Sequence, residues 1–159
     1  MKYVHFYYLG LTLLMLSCAN KKIDVALFKY SLGTSTVETY LLNTENNDSL
    51  KLFRYQNLKD SIPYSRVSYA YSNQELRSRG RTFLSTGTQY EFENLVFTIY
   101  QEKTSNANLI TLVFNEKYGL LASLGFGKHF IFSKEPMTPK IKEYNFKRIF
   151  RSLNNIRIE

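Results

Sequence analysis

Cysteine occurs once in this sequence, at position 18, and tryptophan not at all. An intramolecular disulfide is therefore excluded, and a folded domain has to be held by core burial and hydrogen bonding. Histidine is nearly as scarce, with His5 and His129 separated by most of the chain. With His5 set aside in the N-terminal segment, His129 stands alone in the rest of the chain. One histidine cannot assemble a metal site of recognisable ligand spacing, and no cofactor motif is complete, so neither metal nor cofactor is expected. With 3 prolines, 7 glycines and 21% charged residues, the composition is not that of a disordered or fibrous chain. Long apolar runs are missing too. The longest, Val4 to Leu16, is broken by His5, Gly10 and Thr12. As a helix it covers roughly 20 Å, short of the roughly 30 Å hydrocarbon core of a bilayer.

Aromatic residues are abundant instead, with 13 Tyr and 12 Phe. Together with many β-branched residues they suit pleated, half-buried surfaces. The expectation is a single α+β, mostly β domain over residues 23–159. It would be one curved antiparallel sheet of about six to seven strands with a C-terminal amphipathic helix over 138–154. Alternation places Ile23, Val25 and Leu27 on one strand face, and Val67, Tyr69 and Tyr71 on another. Asn73 as N-cap and Gly80 as C-cap suggest a short helix over Gln74 to Arg79. Gln89 to Gln101 changes face near Asn94, which predicts a bulge in one long strand. Asn108 to Phe114 is apolar on both faces, as in a strand covered on both sides. Gly119 is suited to the positive φ of a hairpin turn. In the C-terminal stretch Phe146, Ile149, Phe150 and Leu153 recur at helical spacing behind Thr138-Pro139.

The N-terminus has a different character. Met1 and Lys2, an apolar middle and then Ser17 before Cys18 form the layout of a secretory signal. Leu14-Met15-Leu16-Ser17-Cys18 resembles the lipobox of bacterial lipoproteins, with Met15 where leucine is commonest. The resemblance covers about the first 20 residues. It implies that residues 1–17 are a signal peptide, that the Cys18 thiol carries a diacylglyceryl group, and that the new amino terminus is usually acylated as well. Residues 18–22 would then be a short tether of about 14 Å, with the domain close to the headgroups. Two or more acyl chains suffice for stable membrane attachment. In the enteric members of that family, aspartate after the cysteine favours the inner membrane. Ala19 carries no such signal, so the resemblance implies the cell envelope, with the outer membrane ahead of the inner.

Without residues 1–17 the chain keeps 20 basic residues against 13 acidic, a net charge of +7. Basic residues gather at Lys140, Lys142, Lys147, Arg148 and Arg151, and again at Arg77, Arg79 and Arg81. The first group could rest on anionic headgroups or a polyanion, or could simply be a solvated helix face. Nucleic acid is not expected, because no RNA-binding or helix-turn-helix pattern is present. Catalytic candidates are few. His129 could act as base for Ser123 or Ser133, and Glu91 with Glu93 could form a carboxylate pair, but strand histidines and solvated strand faces are commoner. Gly125-Phe126-Gly127-Lys128 has the glycines and lysine of a phosphate loop without its spacing or its following helix.

Three functions remain, in this order. The first is a noncatalytic envelope module that binds or docks on an unknown protein or polymer. The second is a carrier or chaperone for a lipid or other apolar ligand, and the third an envelope hydrolase. A flat exposed apolar patch would favour the first, a large apolar cavity the second, and acidic side chains converging in a cleft the third.

Overall fold

The computed structural model describes residues 22–31, 34–57, 63–104, 110–125, 128–134 and 139–154. The signal segment, Cys18 and residues 19–21 lie outside the described residues, as do Phe126 and Gly127. The strands are β1 (Lys22–Ser31), β2 (Thr34–Asn46), β3 (Leu50–Asn57), β4 (Pro63–Ala70), β5 (Leu76–Ser78), β6 (Arg81–Phe92), β7 (Leu95–Glu102), β8 (Thr111–Asn115), β9 (Gly119–Gly125) and β10 (Lys128–Ser133), followed by helix α1 (Pro139–Asn154).

Every strand pairs antiparallel with its sequence neighbour, and β1 pairs with β10 from Ala26↔Ser133 to Ser31↔Lys128. The result is a closed barrel of ten strands, which overturns the expected single curved sheet of about six to seven strands. Closure satisfies the backbone groups that the two terminal strands of an open sheet would leave unpaired. It depends on residues about a hundred positions apart, and local patterning carries no record of that.

The strand count differs because two tight turns are hard to see in sequence. The segment expected as a helix over Gln74 to Arg79 contains β5, closed by Arg79 and Gly80 at φ 50° and 75°. The segment expected as one bulged strand is the β6–β7 hairpin, turning at Glu93 and Asn94 with φ 51° and 61°. Positive φ at both central residues is the geometry that matches strand twist in a two-residue hairpin. Arginine and glutamate are uncommon there, so neither turn announces itself.

Alternation sorts the side chains into two cores. Inward are Val25, Leu27, Tyr40, Leu42, Phe53, Tyr55, Val67, Leu76, Phe83, Tyr100, Leu112, Phe114, Leu120 and Phe132. Outward lies a second core of Ala26, Phe28, Tyr90, Phe97, Val113, Leu121, Ala122 and Ile131, completed by Ile149 and Leu153 of α1. This explains why β8 is apolar on both faces: Leu112 and Phe114 fill the barrel, and Val113 lies in the outer core. Where the outer face meets water, as at Arg66, Ser68 and Arg77, the alternation is apolar-in and polar-out. Each large buried side chain contributes roughly 1.5–3 kcal/mol, more than an exposed ion pair at about 0–1 kcal/mol, so patterning rather than charge sets the fold. Among the described residues no helix is long and apolar enough to cross a membrane.

Candidate functional site

The two ends of the barrel are built differently. Toward the end where β1 begins, aromatic rings fill the interior. Phe53 meets Phe114 edge-on at 5.2 Å between centroids, Tyr69 lies 5.5 Å from Phe114, and Tyr55 leans on Phe132 at 4.8 Å. Toward the other end, the inward positions become small. Ser65, Ser78, Ser123 and Gly125 line a cavity of about 630 Å³ there. A ten-stranded barrel is wider than the eight-stranded ones that side chains just fill, so replacing rings by serines leaves room.

The cavity has an apolar floor and a charged rim. Phe83, Ile110, Leu112, Leu120, Phe130 and Phe132 form the apolar part, and Arg79, Arg81 and Lys128 are the charged residues on its lining. The wall is low on the Arg79 side because β5 has three residues. Its Ser78 pairs with Val67, so β4 runs on past it toward Pro63. The Ser78 hydroxyl donates to the Arg66 carbonyl at 3.0 Å, which secures this short edge. Arg81 donates to the Glu102 carboxylate at 2.9 Å.

Another polar group faces inward from the β1–β3 wall. Lys29 donates to both oxygens of Glu38 at 2.7 and 2.6 Å, and the Tyr40 hydroxyl donates to Glu38 at 2.6 Å. Burial pulls the Lys29 ammonium down, but its bonds to Glu38 and Tyr40 outweigh that and raise its pKa above the usual value. Burial and the Glu38 carboxylate push the Tyr40 phenol up. Both groups therefore keep their protons at neutral pH.

The candidates read from sequence fall into different places. His129 is on the outer face of β10, stacked on Tyr30 at 6.1 Å and tilted against Phe150 of α1 at 4.9 Å. Burial lowers its pKa, and its Nδ1 has no hydrogen-bond partner among the described residues. Ser123 pairs with Phe130 and lines the cavity, on the opposite face of the wall from His129. Ser133 shares the outer face with His129 but lies four residues on, roughly 13 Å at strand spacing. Neither serine meets the histidine. Glu91 is an exposed strand residue, whereas Glu93 sits in the turn and pairs with Arg148 at 3.5 Å, so the two glutamates do not share a strand face. On α1, Lys147, Arg148 and Arg151 are exposed, and Arg148 also lies over the Phe92 ring at 4.9 Å. For Lys140 and Lys142 the described structure extends to the helix backbone.

Of the second basic cluster, Arg79 and Arg81 reach the cavity, while Arg77 pairs with Glu75 at 3.6 Å. Lys128, noted in sequence for a phosphate loop, joins them from β10. A signal for this existed. Arg81 is in phase with inward Phe83, and Lys128 with inward Phe130, so each cation continues an apolar inner face.

No family model matches the chain, nor does any curated protein. A solved structure of PNGF-II aligns with 80% of this chain and 30% of its own length, at 11% identity and a TM-score of 0.40. The chain thus spans about a third of that neighbour, and a likeness at this level carries no argument about fold or function.

Proposed function

We propose that this chain is a cell-envelope lipoprotein, attached through Cys18, whose barrel is a noncatalytic carrier for a lipid or other apolar ligand. The observation that carries the reading is the cavity of about 630 Å³ with an apolar floor, half of it aromatic, at one end of a closed barrel. Its size lies within the range of about 300–1,000 Å³ common for ligand pockets. It moves the carrier ahead of the docking module favoured on sequence. The large apolar side chains that are exposed, such as Val37, Val96 and Tyr144, belong to separate elements.

Attachment and cavity are compatible in space. Lys22 opens β1 at the end opposite the mouth, because the far end of β1, Ser31, is the partner of Lys128. A tether at Cys18 would hold the closed end toward the bilayer and leave the mouth facing away, with the outer membrane the preferred anchor. Docking on anionic headgroups or a polyanion is the second reading, supported by exposed Lys147, Arg148 and Arg151. It predicts salt-sensitive cosedimentation with anionic vesicles.

The test is gentle purification of the full chain in neutral detergent, native mass spectrometry, and organic extraction of whatever is bound. A stoichiometric apolar adduct supports the carrier. Bare protein that also takes up no added long-chain alcohol, acid or alkyl phosphate returns the docking module to first place. Membrane fractionation of Cys18→Ser tests the anchor: the variant should leave the processed membrane pool, and unchanged, fully processed membrane protein would remove the lipoprotein assignment.

A further inference from the structure

We propose that the ligand of the barrel mouth is an anionic amphiphile. Its apolar chain would lie on Phe83, Phe130 and Phe132, and its acidic head would sit at the rim among Arg79, Arg81 and Lys128. The inference rests on the carrier reading and adds the charge and shape of what is carried.

Among the described residues that line the cavity, three are basic and none is acidic. A purely apolar cargo has no use for such a rim. Arg81 and Lys128 stand one inward step from Phe83 and Phe130, where the apolar floor gives way to water. A charge-assisted hydrogen bond at such a boundary is stronger than the same contact in bulk solvent. Lys128 makes no ion pair among the described residues.

Arg79 is placed at the mouth in a left-handed conformation, φ 50°, beside Gly80. That conformation belongs to the two-residue turn between β5 and β6, which fixes Arg79 at the low side of the mouth. Arg79 also borders a second hollow of about 490 Å³ lined by Arg66 and Arg77. Positive charge therefore continues outward from the mouth, which suits a head that stays wet while its chain is buried.

Glu102 supplies the third observation. Its side chain is 11% exposed and holds Arg81 at 2.9 Å. Arg81 is thus already paired with a carboxylate that is not itself on the cavity lining, and Glu102 is the internal competitor that an incoming acid must displace or share.

Carboxylate and phosphate monoester heads satisfy this chemistry equally, and matched probes separate them. Full chain in neutral detergent is titrated with hexadecanoate, hexadecyl phosphate, hexadecanol and inorganic phosphate, and binding is read by native mass spectrometry. The expected result is at least about tenfold tighter retention of one or both acids than of hexadecanol. Whichever acid is preferred identifies the head. Lys128→Ala and Arg81→Ala should each weaken the acid about tenfold and leave hexadecanol unchanged. Glu102→Gln should tighten the acid, a gain that a merely structural role does not produce. Arg79→Gly guards against misfolding, since glycine accepts that φ, and it should still weaken the acid. Equal retention of hexadecanol and both acids overturns the anionic class while the carrier stands. Binding of inorganic phosphate with no chain-bearing probe retained overturns both.

Discussion

The backbone N–H of Leu120 donates to the Tyr55 hydroxyl at 2.8 Å across the barrel interior. It ties β9 to β3, two strands that are not neighbours in the wall. The ladder between β8 and β9 shifts register beside this point, between Val113 and Phe114, so Leu120 faces inward while Leu121 and Ala122 both face the outer core. Burial pushes the Tyr55 phenol far above its usual pKa, and the hydroxyl stays neutral throughout the stable range.

Tyr55→Phe keeps the ring against Phe132 and leaves the Leu120 amide without its partner. An unsatisfied buried donor costs about 1–3 kcal/mol. Urea unfolding should show a loss of that size with an unchanged slope. A variant as stable as the parent would mean that the cross-barrel bond contributes nothing.

Gly119 lies beneath the same bond, at φ 91°. A Cβ there would stand 2.5 Å from the Tyr55 hydroxyl oxygen and 3.1 Å from the Phe53 ring. Gly87 has a comparable φ of 77°, but a Cβ added there meets nothing within 4 Å. Both alanine variants carry the backbone strain, of order 1–2 kcal/mol. Gly119→Ala adds a clash in a packed core, commonly about 1–3 kcal/mol more. Thermal melts of the pair should put Gly119→Ala clearly below Gly87→Ala, and equal midpoints would mean that the core yields at no cost.

Much of this arrangement was legible in the sequence, because alternation is local. The inward sets Val25/Leu27 and Val67/Tyr69, the doubly apolar Leu112–Phe114 and the turn at Gly119 all follow from period and turn chemistry. Closure was not legible, since the pairing of Ala26 with Ser133 is a property of the whole chain. Nor were the turns at Arg79–Gly80 and Glu93–Asn94, where a long charged side chain occupies a glycine-like conformation. The cavity was half-visible. Arg81 and Lys128 were noted as charges, but their phase with Phe83 and Phe130 acquires meaning only once those faces are known to line a barrel.

His129 gives the fold a pH dependence of definite sign. Its folded pKa is lowered by burial between Tyr30 and Phe150. The unfolded chain, titrating near about 6.5, therefore binds a proton that the folded chain resists. Stability is complete above that value and falls as pH drops through it toward the lower folded pKa. His129→Phe retains the aromatic packing and removes the proton. Urea midpoints at pH 7.5 and 5.5 should fall for the parent, and the fall should be smaller for the variant. Equal falls in both would assign the acid sensitivity to other groups.

Space in the mouth exists because Ser123 is small where neighbouring inward positions hold Leu112 and Phe130. Ser123→Phe would project a ring into the cavity rather than into the packed aromatic end, so the added bulk meets open volume. Filling an existing void commonly raises stability by about 0.5–2 kcal/mol. The variant should therefore melt at or above the parent temperature and yet lose retention of long-chain ligand in native mass spectrometry. Stability and binding moving in opposite directions separates a blocked site from a damaged fold. A Ser123→Phe protein that is stable and still retains ligand would place the cargo somewhere other than the barrel mouth.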